Sequence, residues 1–263
     1  GRRCHPVPMP EPQMPAPPAA EPPAPTGPTA LLDRLREGLP AEAVLTDPDV
    51  TAAYAHDMAS FCEAGKPAAV VLPRTTEQVQ HVMRTATAFR VPVVPQGART
   101  GLSGAANAVD GCLVLSRAVE EHGLSYPPDP SSWETCTIGG NIGTASGGLC
   151  CVKYGVTAEY VLGLDVVLAD GRLLTTGRRT AKGVAGYDLT RLFVGSEGSL
   201  GVVVKAVLAL KPRPPRQLAL AAEFPSAAAA GDAVCRIMAE GHTPSLLELM
   251  DRTTVRAVNA MAR

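Results

Sequence analysis

At 263 residues the chain has room for one or two domains of roughly 100–200 residues each. Apolar residues make up 46% of it, enough for a sizeable core, while a net charge of −1 and 4% aromatics exclude a basic, base-stacking nucleic-acid surface. No stretch reaches the ~18 uninterrupted apolar residues of a membrane-crossing helix. The basic Arg2-Arg3 is followed by prolines, not by the apolar run of a secretory signal. Seven cysteines (Cys4, Cys62, Cys112, Cys136, Cys150, Cys151 and Cys235) show no C-x-x-C spacing and read as reduced thiols of a cytoplasmic protein. The five histidines lack paired ligand spacing, so no metal site is expected.

Residues Gly1–Pro28, dense in Pro and Ala, read as a disordered or polyproline II tail. Leu31, Leu32, Leu35 and Leu39 lie at helical spacing before Gly38–Pro40. Asp47–Asp57 is polar and mixed. Ala68–Pro73 predicts a short buried strand, Thr75-Thr76-Glu77 opens a helix with Val79, Val82, Met83 and Ala86 inward, and Val91–Pro95 is the next strand. This β-α-β unit predicts a parallel pair, with Leu113–Leu115 as a third strand of the same layer. Leu113–Ser116 then runs into a helical segment, Arg117–Gly123, with no turn residue between. Further on, Val161–Leu168, a turn at Ala169-Asp170-Gly171 and Arg172–Thr176 predict a hairpin, and Gly201–Leu210 another antiparallel strand. After a rigid linker at Pro212–Pro215, a strand (Leu218–Phe224), a helix (Ser226–Ala239), a strand (Ser245–Met250) and a helix (Arg252–Ala262) follow.

Four loops carry the candidate chemistry. Pro95–Gly104 follows a buried strand, and its glycines let backbone N–H groups converge on a pyrophosphate; a tight structural turn fits it equally. It is neither G-x-G-x-x-G nor G-x-x-x-x-G-K-[ST]. Tyr126–Ser132 holds three prolines that stiffen its path, which an ordinary surface turn would also use. Thr137–Gly148 places five glycines in twelve residues, a large entropy loss unless main chain must approach a large flat ligand. Gly195–Gly201 again suits close approach at a strand start, or a plain turn.

In order and together, VVPQGARTGLSGAANA, YPPDPSSWETCTIGGNIGTASGGLCCVKYGVTAEYVLGLDVVLADG and GYDLTRLFVGSEGSLGVV resemble the FAD-binding domain of the vanillyl-alcohol oxidase and p-cresol methylhydroxylase superfamily. Within it the chain is most similar to the group of glycolate oxidase FAD-linked subunits, D-lactate dehydrogenases and D-2-hydroxyglutarate dehydrogenases, over roughly residues 30–260. The resemblance implies pyrophosphate contacts from Pro95, Gln96, Gly97, Ala98, Arg99, Thr100, Gly101, Leu102 and Ser103. It implies contacts along the cofactor from Pro128 and Asp129, and ribityl and flavin contacts from Thr137, Gly139, Gly140, Asn141, Gly143, Gly147, Gly148, Tyr154 and Gly155. Glu197, Gly201 and Val202 fall on its adenine side. Arg99 stands where many relatives have a small residue, beside the pyrophosphate or facing water.

The implied fold is α+β. A parallel first subdomain (29–116) and a mainly antiparallel second one (117–215) hold non-covalent FAD between them, and 216–263 starts an α+β cap. Space for an extended ligand is therefore expected between Gly97 and Gly140. The implied activity is oxidation of a small 2-hydroxy acid by hydride transfer to flavin, with a quinone or carrier protein as electron acceptor. The family's two antiparallel strands and helix start after the third strand have no counterpart at Ser116–Arg117, and its catalytic base falls beyond Arg263, so that residue is unassigned. A catalytically inactive FAD-binding fragment and a flavin oxidase of another alcohol are the alternative readings.

Overall fold

The computed structural model describes residues 27–59, 61–116, 127–178, 186–211 and 218–261. The Pro-rich tail up to residue 26, the helix expected at Arg117–Gly123, Tyr126 and the linker Pro212–Pro215 lie outside the described residues.

Helix α1 spans Pro28–Glu37, with proline in its first turn, where no N–H is needed, and with Leu31 and Leu35 buried. A short strand β1 (Val44–Leu45) and a short helix α2 (Pro48–Ala52), capped by the Asp47 carboxylate, follow. Neither is predicted above, because two and five residues are too few to show a period. Strand β2 (Ala69–Val71) is wholly buried. Helix α3 (Thr76–Phe89) begins in a capping box between Thr75 and Gln78 and turns the expected residues Val79, Val82, Met83 and Ala86 inward.

Strands β3 (Val93–Gln96) and β4 (Leu113–Ser116) complete a sheet of order β1-β2-β4-β3. The parallel pairing is as expected, but β4 lies between β2 and β3 and pairs with both. Sequence chemistry explains the order. Leu113 and Val114 are fully apolar and fully buried, which suits a central strand, whereas β3 carries Pro95, which cannot donate to a ladder and suits an edge.

The Gly-rich stretch forms helix α4 (Ile138–Thr144), followed by the single turn α5 (Cys151–Tyr154). Strands β5 (Val161–Val167) and β6 (Leu173–Gly177) form the expected hairpin. After helix α6 (Leu189–Phe193), β7 (Val202–Leu208) pairs antiparallel with β5, giving the order β6-β5-β7. The hairpin turn rests on α3: Gln80 Nε2 donates to the Gly171 carbonyl at 2.7 Å, and Thr87 Oγ1 donates to that of Ala169. Val167 and Val202 share a core with Val79, Val82 and Met83, so α3 is packed between the two sheets. Ile142, Leu164, Val166 and Phe193 build a second core between α4, β5 and α6.

Helices α7 (Ala227–Ala239) and α8 (Arg252–Met261) form where expected but bury no residue. The strands expected at Leu218–Phe224 and Ser245–Met250 are not formed; both stretches are irregular, and Leu218 and Leu220 are 100% and 95% exposed. A strand needs a neighbour to take its backbone hydrogen bonds, and no described residues run alongside either stretch as a ladder.

Candidate functional site at four converging loops

Chain order separates the four loops, and the fold brings them together. Ser103 Oγ donates to Glu197 Oε1 at 3.3 Å, joining the first loop to the fourth. Ser132 Oγ donates to Thr100 Oγ1 at 3.3 Å, joining the second to the first. The Asp129 carboxylate accepts from the Cys150 N–H at 3.0 Å, tying the second to the chain after the third. The Glu197 N–H donates to the Gly143 carbonyl at 2.9 Å, closing the fourth onto the third. Sheet ends and helix ends therefore converge on one surface.

Glycines on this surface fall into two kinds, told apart by what a methyl group would meet. At Gly97 it would sit 2.4 Å from Thr137 Oγ1 and 3.3 Å from the Gly140 nitrogen. At Gly148 it would sit 2.1 Å from the Asp129 carbonyl oxygen, and at Gly201 2.8 Å from the Val166 side chain. Gly155 has φ 78°, where side chains are strained. These glycines are required by the chain's own packing. At Gly139 and Gly143 a methyl would meet nothing within 4 Å. One turn apart on α4, they present a bare helical strip to open space. A helical glycine costs about 0.5–1 kcal/mol against alanine. No neighbouring atom requires either one, and the strip leaves the helix backbone open to close approach.

The space expected between Gly97 and Gly140 is filled. Thr137 caps α4 by accepting the Gly140 N–H at 3.1 Å, and that capped turn is seated directly on Gly97. No ligand can lie between these two glycines, whereas the outer strip of α4 faces open space.

Other expected residues divide similarly. Gln96 is buried; its Nε2 donates to the Tyr54 and Ala106 carbonyls at 2.8 and 2.6 Å, while its Oε1 has no hydrogen-bond partner. Asn141 is buried and held by Cys136 Sγ and Ser146 Oγ. Val202 is buried in the core beneath α3, so its side chain is structural. Tyr154 offers its carbonyl to the Tyr160 hydroxyl at 2.6 Å. Pro128 is buried, Ala98 and Gly101 are half-buried, Gly147 is exposed, and Leu102 is 70% exposed. The Arg99 guanidinium stacks 4.9 Å from the Tyr54 ring centroid and donates to the Ala53 carbonyl.

Sequence reasoning missed Tyr54 and Asp57. Asp57 accepts from the Ala59 N–H at 2.8 Å and the Ala106 N–H at 3.4 Å, bracing the first loop from below. Its only signal was its place in a polar stretch without periodicity. Burial, with the Asp129 carboxylate beside it, pushes the Cys150 thiol up to about 11. Among the described residues no group of three or more His, Cys, Asp or Glu is gathered for a metal, and no helix is long and apolar enough to cross a membrane.

An FAD binding domain family matches residues 67–119 and 113–177, and the C-terminal domain family of FAD linked oxidases matches 213–263. The first match is in two pieces that meet at β4, where the sequence runs into Arg117 without a turn. The chain is 42% identical over 226 residues to glycolate oxidase subunit GlcD of Bacillus subtilis (strain 168), covering 75% of this chain and 48% of that protein. It is 38% identical over 220 residues to D-2-hydroxyglutarate dehydrogenase of Stutzerimonas stutzeri (strain A1501), covering 73% and 47%. The chain thus spans about half the length of these curated relatives. In fold it is similar to alkyldihydroxyacetonephosphate synthase (TM-score 0.67, 20% identity, 83% of this chain and 47% of that one). It is likewise similar to p-cresol methylhydroxylase with substrate bound (TM-score 0.60, 20% identity, 72% and 44%).

Proposed function

Because this chain belongs to the FAD-linked oxidases, with a fold of the p-cresol methylhydroxylase type, we propose that it binds FAD non-covalently across its four loops and serves the oxidation of a small 2-hydroxy acid. The bare strip of Gly139 and Gly143 carries this reading, since no atom of the chain within 4 Å of either and no positive φ requires glycine there. When bound, FAD supplies a two-electron acceptor for the hydride on the carbon bearing the substrate hydroxyl.

The chain's own residues bind and orient. Thr137 fixes the start of α4, so that the strip faces outward. Ser103 and Glu197 hold the first and fourth loops at a constant spacing, and Asp129 holds the chain after α4. In this reading residues 29–215 form the cofactor-binding unit and 216–263 begin the substrate unit. A quinone or a carrier protein takes the electrons. Glycolate, D-lactate and D-2-hydroxyglutarate are the candidate substrates, from the names of the relatives.

Titration of the purified chain with FAD, followed by flavin fluorescence and the visible spectrum, tests the binding. Saturable quenching with the structured bands of protein-bound flavin is expected, and free-flavin behaviour at every protein concentration overturns the reading. Turnover of the three acids with a dye acceptor then tests the activity apart from the binding.

A further inference from the structure

Among the described residues Arg99 is one of four non-glycine residues with positive φ, at 59°, a backbone region that L residues occupy only when surrounding interactions hold them there. What holds Arg99 is visible. Its guanidinium lies 4.9 Å from the centroid of the half-buried Tyr54 ring and donates to the Ala53 carbonyl. Both residues sit directly after α2. The same segment is tied to the first loop at two other points and to the residues just after it at two more. Gln96 Nε2 donates to the Tyr54 carbonyl at 2.8 Å, and the Met58 N–H to the Gly101 carbonyl at 3.0 Å. The Asp57 N–H donates to Asn107 Oδ1 at 2.7 Å, and the Ala108 N–H to the Ala55 carbonyl at 2.8 Å. Residues 53–58 thus form a strap under the loop, and Arg99 is the side chain by which the loop's tip grips it. The cation is already committed to a ring face and a carbonyl.

We infer that Arg99 is a positioning residue: by clamping Tyr54 it presets the backbone of Gly97–Gly104 for the FAD phosphates, without itself touching them. The inference rests on the reading of these loops as an FAD site. The clamp itself is a property of the free protein and is measurable without flavin.

The experiment compares Arg99→Gly, Tyr54→Leu, Tyr54→Phe and the Arg99→Gly/Tyr54→Leu double variant by amide hydrogen exchange without flavin and by FAD titration at two salt concentrations. Glycine removes the grip while accepting the positive φ. Phenylalanine keeps the ring face that attracts the cation, and leucine keeps bulk without it. The clamp predicts faster exchange across residues 97–104 in Arg99→Gly and Tyr54→Leu, and about tenfold weaker FAD binding in each. It further predicts wild-type behaviour in Tyr54→Phe, no further loss in the double variant and an unchanged salt dependence. Wild-type affinity in Tyr54→Leu, beside an Arg99→Gly variant with weaker binding and a shallower salt dependence, overturns it, since Arg99 would then meet the phosphates directly. Unchanged exchange in both single variants also overturns it. If the wild-type chain binds no FAD, the FAD reading fails, while the exchange data still decide whether the clamp exists.

Discussion

At the residue scale, glycines of similar sequence context have opposite roles, and substitution separates them. Gly139→Ala and Gly143→Ala place a methyl where no atom of the chain lies within 4 Å, and alanine favours the helix by up to about 1 kcal/mol. Both variants are expected to melt at or above the wild-type temperature and yet bind FAD roughly tenfold or more weakly, because the methyl stands in the ligand's place. Gly97→Ala is expected to do the reverse first. Its methyl collides with the Thr137 hydroxyl that caps α4, so the protein loses about 1–3 kcal/mol of stability by thermal or urea unfolding before any ligand is added. Equal loss of stability in all three would remove the distinction on which the reading of the strip rests. Cys150 gives a second check at this scale. With its thiol raised to about 11 by burial and the neighbouring Asp129, it stays protonated at pH 8, and iodoacetamide is expected to modify exposed Cys235 well before it. A folded-state value above the ordinary 9.0 favours the folded chain below pH 9, and that contribution is lost as pH rises from 9 towards about 11.

At the element scale, α3 is the member on which both halves depend, because its inner face closes the first sheet and the hairpin turn of the second rests on it. Its start is fixed by Thr75 accepting the Gln78 N–H while Gln78 reaches back. Thr75→Ala is expected to cost about 1 kcal/mol and to shift a single cooperative transition, since α3 shares one core with strands of both sheets. Two transitions moving apart in calorimetry would mean that the halves are independent. This helix was legible in the sequence, cap and inward face together, because both signals are local. The hairpin from β5 to β6 was legible for the same reason: Asp170-Gly171 supplies the turn and alternation supplies the faces. Helix α4 was not. Its glycines read as a loop, and beyond the Thr137 cap it is tertiary contacts that hold it helical, among them buried Ile142 and the Gly195 N–H donated to the Ile142 carbonyl at 2.9 Å. The four loops were legible as a set, but their mutual arrangement was not, so Gly97 against Gly140 read as two walls of a cleft when it is one closed seam.

At the scale of the whole molecule, stability and exposure are unevenly spread. The three cores all lie between α1 and β7, while α7 and α8 contribute no buried residue and Leu218, Leu220, Phe224, Leu249, Met250 and Met261 stand in solvent. Apolar burial at roughly 25 cal/mol per Å² is the main source of folding free energy, and a segment that buries little adds little. A chain ending at Lys211 is therefore expected to melt within a few degrees of the 263-residue chain and to retain the FAD affinity of the longer one. It should also be less prone to self-association by light scattering, because the exposed apolar side chains leave with the segment. A large fall in melting temperature on removing residues 212–263 would show that this region packs on the first two units in solution. The substrate unit would then already be docked over the loops, and the open strip of α4 would face a covered space and not solvent.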